Sequence, residues 1–239
     1  MRKYAAVLIV GFLAVFAIQL RAQDKINVLT KKEVKNGWKL LFDGQTPSQW
    51  RSANKADFPT KGWGIKEGCM ISGGGGNLVT KVEYGSFDLT WDWKMIDKGG
   101  NSGVKYFVKE ANNDALGIEY QMLDDFDHPW MKDGRMFPND FHTTGAIYEL
   151  YPTSPAKKLN PVGEWNHSRI YVKGKHLEHW LNGVKVAECD RGSEDFNARV
   201  EKSKFKTIPN FGLHEKGLLL LQDHGSIVWF RNIKIRTLE

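Results

Sequence analysis

Phe87-Asp-Leu-Thr-Trp-Asp-Trp-Lys-Met95 decides the fold class. Phe87, Leu89, Trp91, Trp93 and Met95 alternate with Asp88, Thr90, Asp92 and Lys94. An unbroken period of two marks a strand with one face packed and the other wet. Both Trp residues share the apolar parity, which favours core packing over a sugar-stacking role. Outward from this strand the same pattern recurs in shorter pieces. Trp38 to Gly44 reads as a strand closing in a turn, and WGIK, CMIS and NLVT read as three short strands between Lys61 and Thr80. The glycines at 73–76 are not followed by Lys-Ser/Thr or a helical pattern, so they read as a flexible hairpin link and not a phosphate loop. Val104 to Lys109 alternates again, with Val104, Tyr106 and Val108 on one face and Lys105 and Phe107 on the other. Further strands are expected over Gly145–Tyr151, Trp165–Val172, His176–Asn182 and Val184–Cys189, with Asn182-Gly183 as a hairpin turn. Two more, joined at His224-Gly225, end the chain. Ser193 to Lys202 is the one good helical segment, capped by Ser193. Short strands between turn signals predict an all-β sandwich or jelly roll with one short helix.

The composition agrees with a globular β domain. The chain has 239 residues, 41% hydrophobic, 26% charged and 12% aromatic. Residues 1–22 read as a signal peptide: Arg2 and Lys3, an apolar run from Ala5 to Leu20, and cleavage after Ala22. An uncleaved anchor is the alternative, but the run is short for a stable span. Residues 23–36 read as a polar, loosely held lead-in, and residues 37–239 as a single domain. The expected location is outside the cytoplasm, periplasmic or secreted in a bacterium. Removing Arg2, Lys3 and Arg21 lowers the formal charge from +6 to +3. The remaining Lys and Arg form no cluster, which argues against a nucleic-acid surface. Cys69 and Cys189 either pair or, as their alternating contexts favour, sit as two separate buried thiols.

Chemistry concentrates in Gly117 to His128, GIEYQMLDDFDH. Ile118, Tyr120 and Met122 take one face of a strand, and Glu119 and Gln121 take the other. Beyond them Asp124, Asp125, Asp127 and His128 form an acidic loop that either positions a ligand, holds a divalent cation or faces water; its spacing is not an EF-hand. Glu119 could also form a plain cross-strand ion pair with Lys105, itself a candidate to polarise a sugar oxygen. Trp130 to Thr144 is a long loop carrying Arg135, Asp140 and His142, and loops of that length tend to be functional or disordered. His142 and Glu149 are acid or base candidates at the same rim. His179 shares parity with Leu177 and Leu181, so a satisfied core histidine is a live alternative. Gln222 and His224 share one parity near the last turn. Arg169 reads first as an inter-strand salt bridge. Gly-x-Ser-x-Gly, His-Glu-x-x-His and a dinucleotide glycine fingerprint are all absent from the sequence.

An ordered set of segments adds a resemblance. GWKLLFDGQTPSQW, GGNSGVKYFV, GIEYQMLDD, TGAIYELYP, VGEWNHSRI with HWLNG, and LQDHGSIVWFRNIKIR together resemble the 3-keto-disaccharide hydrolase family, also described as the 3-keto-α-glucoside 1,2-lyase / 3-keto-2-hydroxyglucal hydratase domain. The match spans Gly37 to Leu238. It implies a concanavalin-A-like jelly-roll β-sandwich with a sugar site on its concave face. It also implies exported glycan breakdown after a separate sugar 3-dehydrogenase has made the ketone. On that reading Glu119, His128, Glu149 and His179 are the catalytic candidates. Lys105, Gln121, Asp124, His142, Gln222 and His224 are the substrate-binding ones. No metal ligands are assigned and no cofactor is required, with a divalent cation left as a possibility. The competing expectations are a non-catalytic carbohydrate-binding module and a conventional glycoside hydrolase of the same fold. The latter usually sets two Glu on one strand, and here Gln121 stands where the second would be.

Overall fold

The computed structural model describes residues 25–111 and 114–239; the expected signal peptide and its cleavage point lie outside them. Thirteen strands are present among the described residues: β1 Lys39–Leu40, β2 Trp50–Ser52, β3 Trp63–Lys66, β4 Cys69–Ser72, β5 Leu78–Thr80, β6 Phe87–Met95, β7 Asn101–Ala111, β8 Asp114–Leu123, β9 Asn166–Lys173, β10 His176–Leu181, β11 Val184–Asp190, β12 Leu218–Asp223 and β13 Val228–Thr237. They form two antiparallel sheets. One runs β11-β10-β9-β6-β13-β4-β3 with β1 added on β13, and the other runs β2-β5-β12-β7-β8. Sequence-distant strands lie side by side, as a jelly roll requires. No described helix is long and apolar enough to cross a membrane.

The alternation of β6 turns out as the sequence predicts. Phe87, Leu89, Trp91, Trp93 and Met95 point between the sheets, where they meet Val104, Tyr106, Ile118, Tyr120 and Met122 from β7 and β8. Each large apolar side chain buried there contributes about 1.5–3 kcal/mol. Polar side chains stitch the layers together inside this core. Trp93 Nε1–H donates to Ser168 Oγ at 2.9 Å, Ser168 lies 3.0 Å from the Tyr120 hydroxyl, and that hydroxyl donates to the Trp180 carbonyl at 3.2 Å.

Several local expectations are corrected. Among the described residues there are three helices and not one: α1 Lys31–Lys35, α2 Pro129–Lys132 and α3 Glu194–Lys202. The lead-in is therefore partly ordered; Thr30 and Glu33 form a reciprocal capping box at the start of α1. The strand expected over Trp38–Gly44 shortens to β1. The 73–76 link is tied down, because Gly74, Gly75 and Gly76 all donate backbone N–H groups to the Asp223 carboxylate, the middle one at 2.6 Å. Cys69 and Cys189 are both free and buried, as the alternating contexts favour.

The parity of β7 is also broken. Register slips between Tyr106 and Lys109, and Phe107 takes a left-handed φ of 53°. This bulge sends Phe107 into the inter-sheet core beside Tyr106. Val108 instead joins Val79, Ala115, Leu218 and Leu220 in a separate cluster. Glycine permits the bulge from both neighbouring strands. A Cβ on Gly117 would lie 2.5 Å from the Tyr106 carbonyl oxygen, and one on Gly217 would lie 2.4 Å from the Phe107 carbonyl carbon. Gly217→Ala is therefore expected to cost about 1–3 kcal/mol, the usual range for overpacking. An unchanged urea midpoint would show that the bulge yields freely.

Candidate active site

The outer face of the five-stranded sheet divides at the bulge. On one side lies the Val79–Val108–Leu220 cluster; on the other the parity of β7, β8 and β12 presents polar groups. Lys105 pairs in register with Glu119, and Gly103 pairs with both Gln121 and Gln222. Gly103, inside β7, is an opening: a Cβ there would meet Glu119 Oε1 at 2.8 Å and Gln222 Oε1 at 2.9 Å. Glu119 and Gln222 thus converge over a backbone with no side chain. The Lys105 ammonium stands 3.5 Å from Glu119 Oε2.

The expected cross-strand ion pair of Glu119 is present, and the face is not a simply solvated one. It pairs with Lys105 across the strands, and it sits in a poorly solvated patch, 6% exposed. Burial raises its carboxyl above the ordinary range, opposed by the charges of Lys105 and Lys204 and by hydrogen bonds from Lys105 and Gln222. Gln121 and Gln222 are also buried, and each has an amide oxygen without a partner among the described residues. Two unmatched acceptors beside an acid and an ammonium suit a ligand rich in hydroxyl donors.

The segment expected as the strand Gly145–Tyr151 is irregular and clips onto the edge of β8. Gly145 N–H donates to the Gln121 carbonyl at 2.9 Å, and Tyr148 N–H donates to the Glu119 carbonyl at 3.0 Å. Glu149 then turns with a left-handed φ of 67°. The clip brings Tyr148 and Glu149 beside Glu119. The Tyr148 phenol is pushed up to about 12 by burial and by the charges of Glu119 and Glu149. Lys204, just past α3, lies 4.2 Å from the Tyr148 ring centre and 3.9 Å from Glu149 Oε1. His142 completes the wall: Asp140 holds its Nδ1 at 2.8 Å and Glu149 lies 3.4 Å from its Nε2. Its ring is 5.2 Å from Tyr148 and 6.0 Å from Trp130, which is 39% exposed. His224 is exposed at the opposite rim; partial desolvation and the Lys105 and Lys204 charges lower its pKa, against Asp223.

Lys105, Glu119, Gln121, Gln222, His224, His142 and Glu149 are thus gathered on or around one surface. The acidic loop is not. Asp124 is buried and accepts backbone N–H groups of Gly99, Phe126 and Asp127 at 2.8, 3.1 and 3.2 Å. Asp125 accepts Thr144 N–H at 2.9 Å and the Lys157 ammonium at 2.8 Å. Asp127 pairs with Lys132 at 2.8 Å. These carboxylates serve their own loop, which argues against their reading as cation ligands. His128 caps α2, its Nδ1 accepting Trp130 N–H at 3.3 Å. The described grouping with cation-ligand spacing is elsewhere, at His176, Glu178 and Glu188, and Lys185 is paired to both glutamates. Arg169 forms the expected salt bridge, 2.6 Å from Asp88.

His179 is likewise separate. It is fully buried between the sheets: its Nδ1–H donates to the Gly145 carbonyl at 3.0 Å, and its Nε2 accepts the Tyr106 hydroxyl at 2.9 Å. The core alternative describes its place. Burial lowers its pKa to about 3. Because the folded value lies below the unfolded one, its contribution is intact above about pH 6.5 and is lost as the pH falls. Between pH 6.5 and 5 this group alone should remove about 2 kcal/mol, read as a drop in the urea midpoint. A His179→Gln variant whose midpoint fell equally over that window would assign the loss to other groups.

Tyr148, Lys204, Asp140 and Gly103 were not among the residues the sequence singled out as acting on a ligand. Tyr148 lies within the TGAIYELYP segment, which offered a signal; Lys204 offered none.

Residues 37–236 match the family described as the 3-keto-alpha-glucoside-1,2-lyase-like domain. The chain is 31% identical over 236 residues to the 3-keto-disaccharide hydrolase of Bacteroides thetaiotaomicron, covering 85% of this chain and 79% of that one. A solved structure from Parabacteroides distasonis, provisionally named a glycosyl hydrolase, is 38% identical at TM-score 0.81, covering 90% of this chain and 100% of that one. SCLam, a non-specific endo-beta-1,3(4)-glucanase, superimposes at TM-score 0.50 with 11% identity, covering 89% of this chain and 93% of that one. That last likeness speaks for the sandwich fold alone.

Proposed function

The chain belongs to the 3-keto-alpha-glucoside-1,2-lyase-like family, and from that premise we propose that it is a carbohydrate hydrolase acting on glycosides oxidised at C3. The observation that carries this reading is the pairing of a buried carboxylate with an ammonium. Glu119 has the Lys105 ammonium at 3.5 Å, and Gln121 stands at the next position of the same face, where a second carboxylate would be expected. Direct glycoside hydrolysis normally uses two opposed carboxyl groups. A 3-keto-glycoside asks for something else: a base for an acidified C–H, and positive charge for the oxyanion that forms.

Glu119 removes the proton on C2, and the electron pair passes into the C2–C3–O3 enolate, which Lys105 stabilises. The enolate collapses to a C1–C2 double bond as the C1–O bond breaks. Tyr148, kept protonated by its surroundings, donates a proton to the departing oxygen. Water then adds, its hydroxyl to C1 and a proton to C2, so that the sum is hydrolysis. Gln121 and Gln222 accept sugar hydroxyls, and His142, held by Asp140, lines the leaving-group side. A separate sugar 3-dehydrogenase supplies the ketone. The apolar run at Ala5–Leu20 supports export of the chain.

The purified protein should release the leaving group from a 3-keto-glucoside and leave the unoxidised glucoside intact. Cleavage of the plain glucoside at a comparable rate would replace this reading with ordinary hydrolysis. Tight binding without turnover would replace it with a binding module.

A further inference from the structure

On the opposite side of the sandwich, the outer face of the eight-stranded sheet carries a second arrangement that the proposed chemistry does not use. Charges along β6 are matched in turn. Asp88 takes Arg169 at 2.6 Å and Arg236 at 2.9 Å, and Asp92 takes His167 at 2.7 Å. Lys94 breaks the series, with no carboxylate partner among the described residues. Its ammonium lies between two indoles, 5.0 Å from the Trp165 ring centre and 4.7 Å from that of Trp229. Trp229 is its in-register neighbour on β13. The Arg231 guanidinium stacks on Trp165 at 3.8 Å, and its Nε stands 3.5 Å from the Asp92 carboxylate as a looser ion pair without a hydrogen bond. These groups line a hollow of about 730 Å³, with Lys25 and Glu67 at its edge. Glu67 is itself paired with Lys66 at 3.5 Å.

We propose that the Trp165–Lys94–Trp229–Arg231 hollow is a second carbohydrate site that takes an acidic sugar residue, a uronate or a sulfated pyranose. Its volume lies in the range of small-ligand sites. The half-buried indoles offer flat apolar surface for the C–H face of a pyranose. The same rings exclude water from the Lys94 ammonium, which strengthens its attraction for an anion over that of an ordinary surface lysine. Arg231, only partly matched by Asp92, adds a second cation whose planar guanidinium suits a carboxylate or sulfate. A neutral sugar would leave the Lys94 ammonium unmatched. The site lies on the face away from Glu119, so it would hold the protein on an acidic glycan without occupying the reacting surface.

The test is a titration of the full chain, followed by tryptophan fluorescence, with a glucuronate-ended oligosaccharide, a sulfated one, their neutral counterpart and inorganic sulfate alone. At least one acidic oligosaccharide should bind about tenfold or more tighter than the neutral one, and the difference should shrink in high salt. Lys94→Met and Trp229→Ala should each weaken it by about tenfold. Glu119→Gln should leave this affinity unchanged, which separates the result from the fate of the proposed reaction. Equal binding of acidic and neutral sugars, equal binding of free sulfate, or loss of binding in Glu119→Gln would overturn the proposal.

Discussion

Glu119→Gln keeps the fold and lowers kcat on a 3-keto-glucoside by about 10³-fold, within the 10²–10⁴ range of general-base catalysis. The substitution preserves shape and hydrogen-bonding length while removing the group proposed to accept the C2 proton. Stability should hold or rise. The carboxyl has a folded pKa raised by burial, so its contribution to stability is present at low pH and lost as the pH rises through that value. At neutral pH the carboxylate is therefore a burden on the fold that the amide removes. Thermal unfolding at pH 7 reads one arm and single-substrate kinetics the other. A folded variant that keeps full activity would remove Glu119 from the role of base.

Lys105→Met has the second largest effect, a fall of about 10²-fold in kcat, the scale of losing one oxyanion donor. It carries a pH signature that a simple loss of binding would not. Lys105 is the foremost group opposing the burial of Glu119. Without it the carboxyl rises further, and since the base must be ionised, the acid limb of the kcat/KM profile moves to higher pH. A variant with reduced rate and an unmoved acid limb would mean that Lys105 does not sense Glu119 during catalysis.

The sandwich and the floor of the site were both legible in the sequence, for the same reason. Strand parity is a local property, so β6 announces the core. The alternation of Ile118, Tyr120 and Met122 with Glu119 and Gln121 announces which side chains face away from it. Parity alone was misleading in one place. A bulge at Phe107, permitted by Gly117 and Gly217 from other strands, switches the faces of β7. His179 obeys its parity and is therefore in the core, where hydrogen bonds to Tyr106 and Gly145 satisfy it. The resemblance had drawn it towards the site. Loops were the least legible. The carboxylates of Asp124 and Asp125 are spent on backbone groups and a lysine brought in by folding. Tyr148 and Lys204 reach Glu119 only because the 145–149 segment clips to β8 and the chain after α3 returns over it.

The mechanism turns on the C2–H bond, and one measurement addresses it directly. A 3-keto-glucoside is cleaved in D₂O over a single short turnover, and the product is compared with substrate held in D₂O with Glu119→Gln protein. Elimination followed by hydration predicts that each released 3-keto sugar carries solvent deuterium at C2, well above the background exchange in the control. Full retention of the original hydrogen at C2 in a cleaved product would contradict it, because the glycosidic bond would then have broken without proton abstraction at C2.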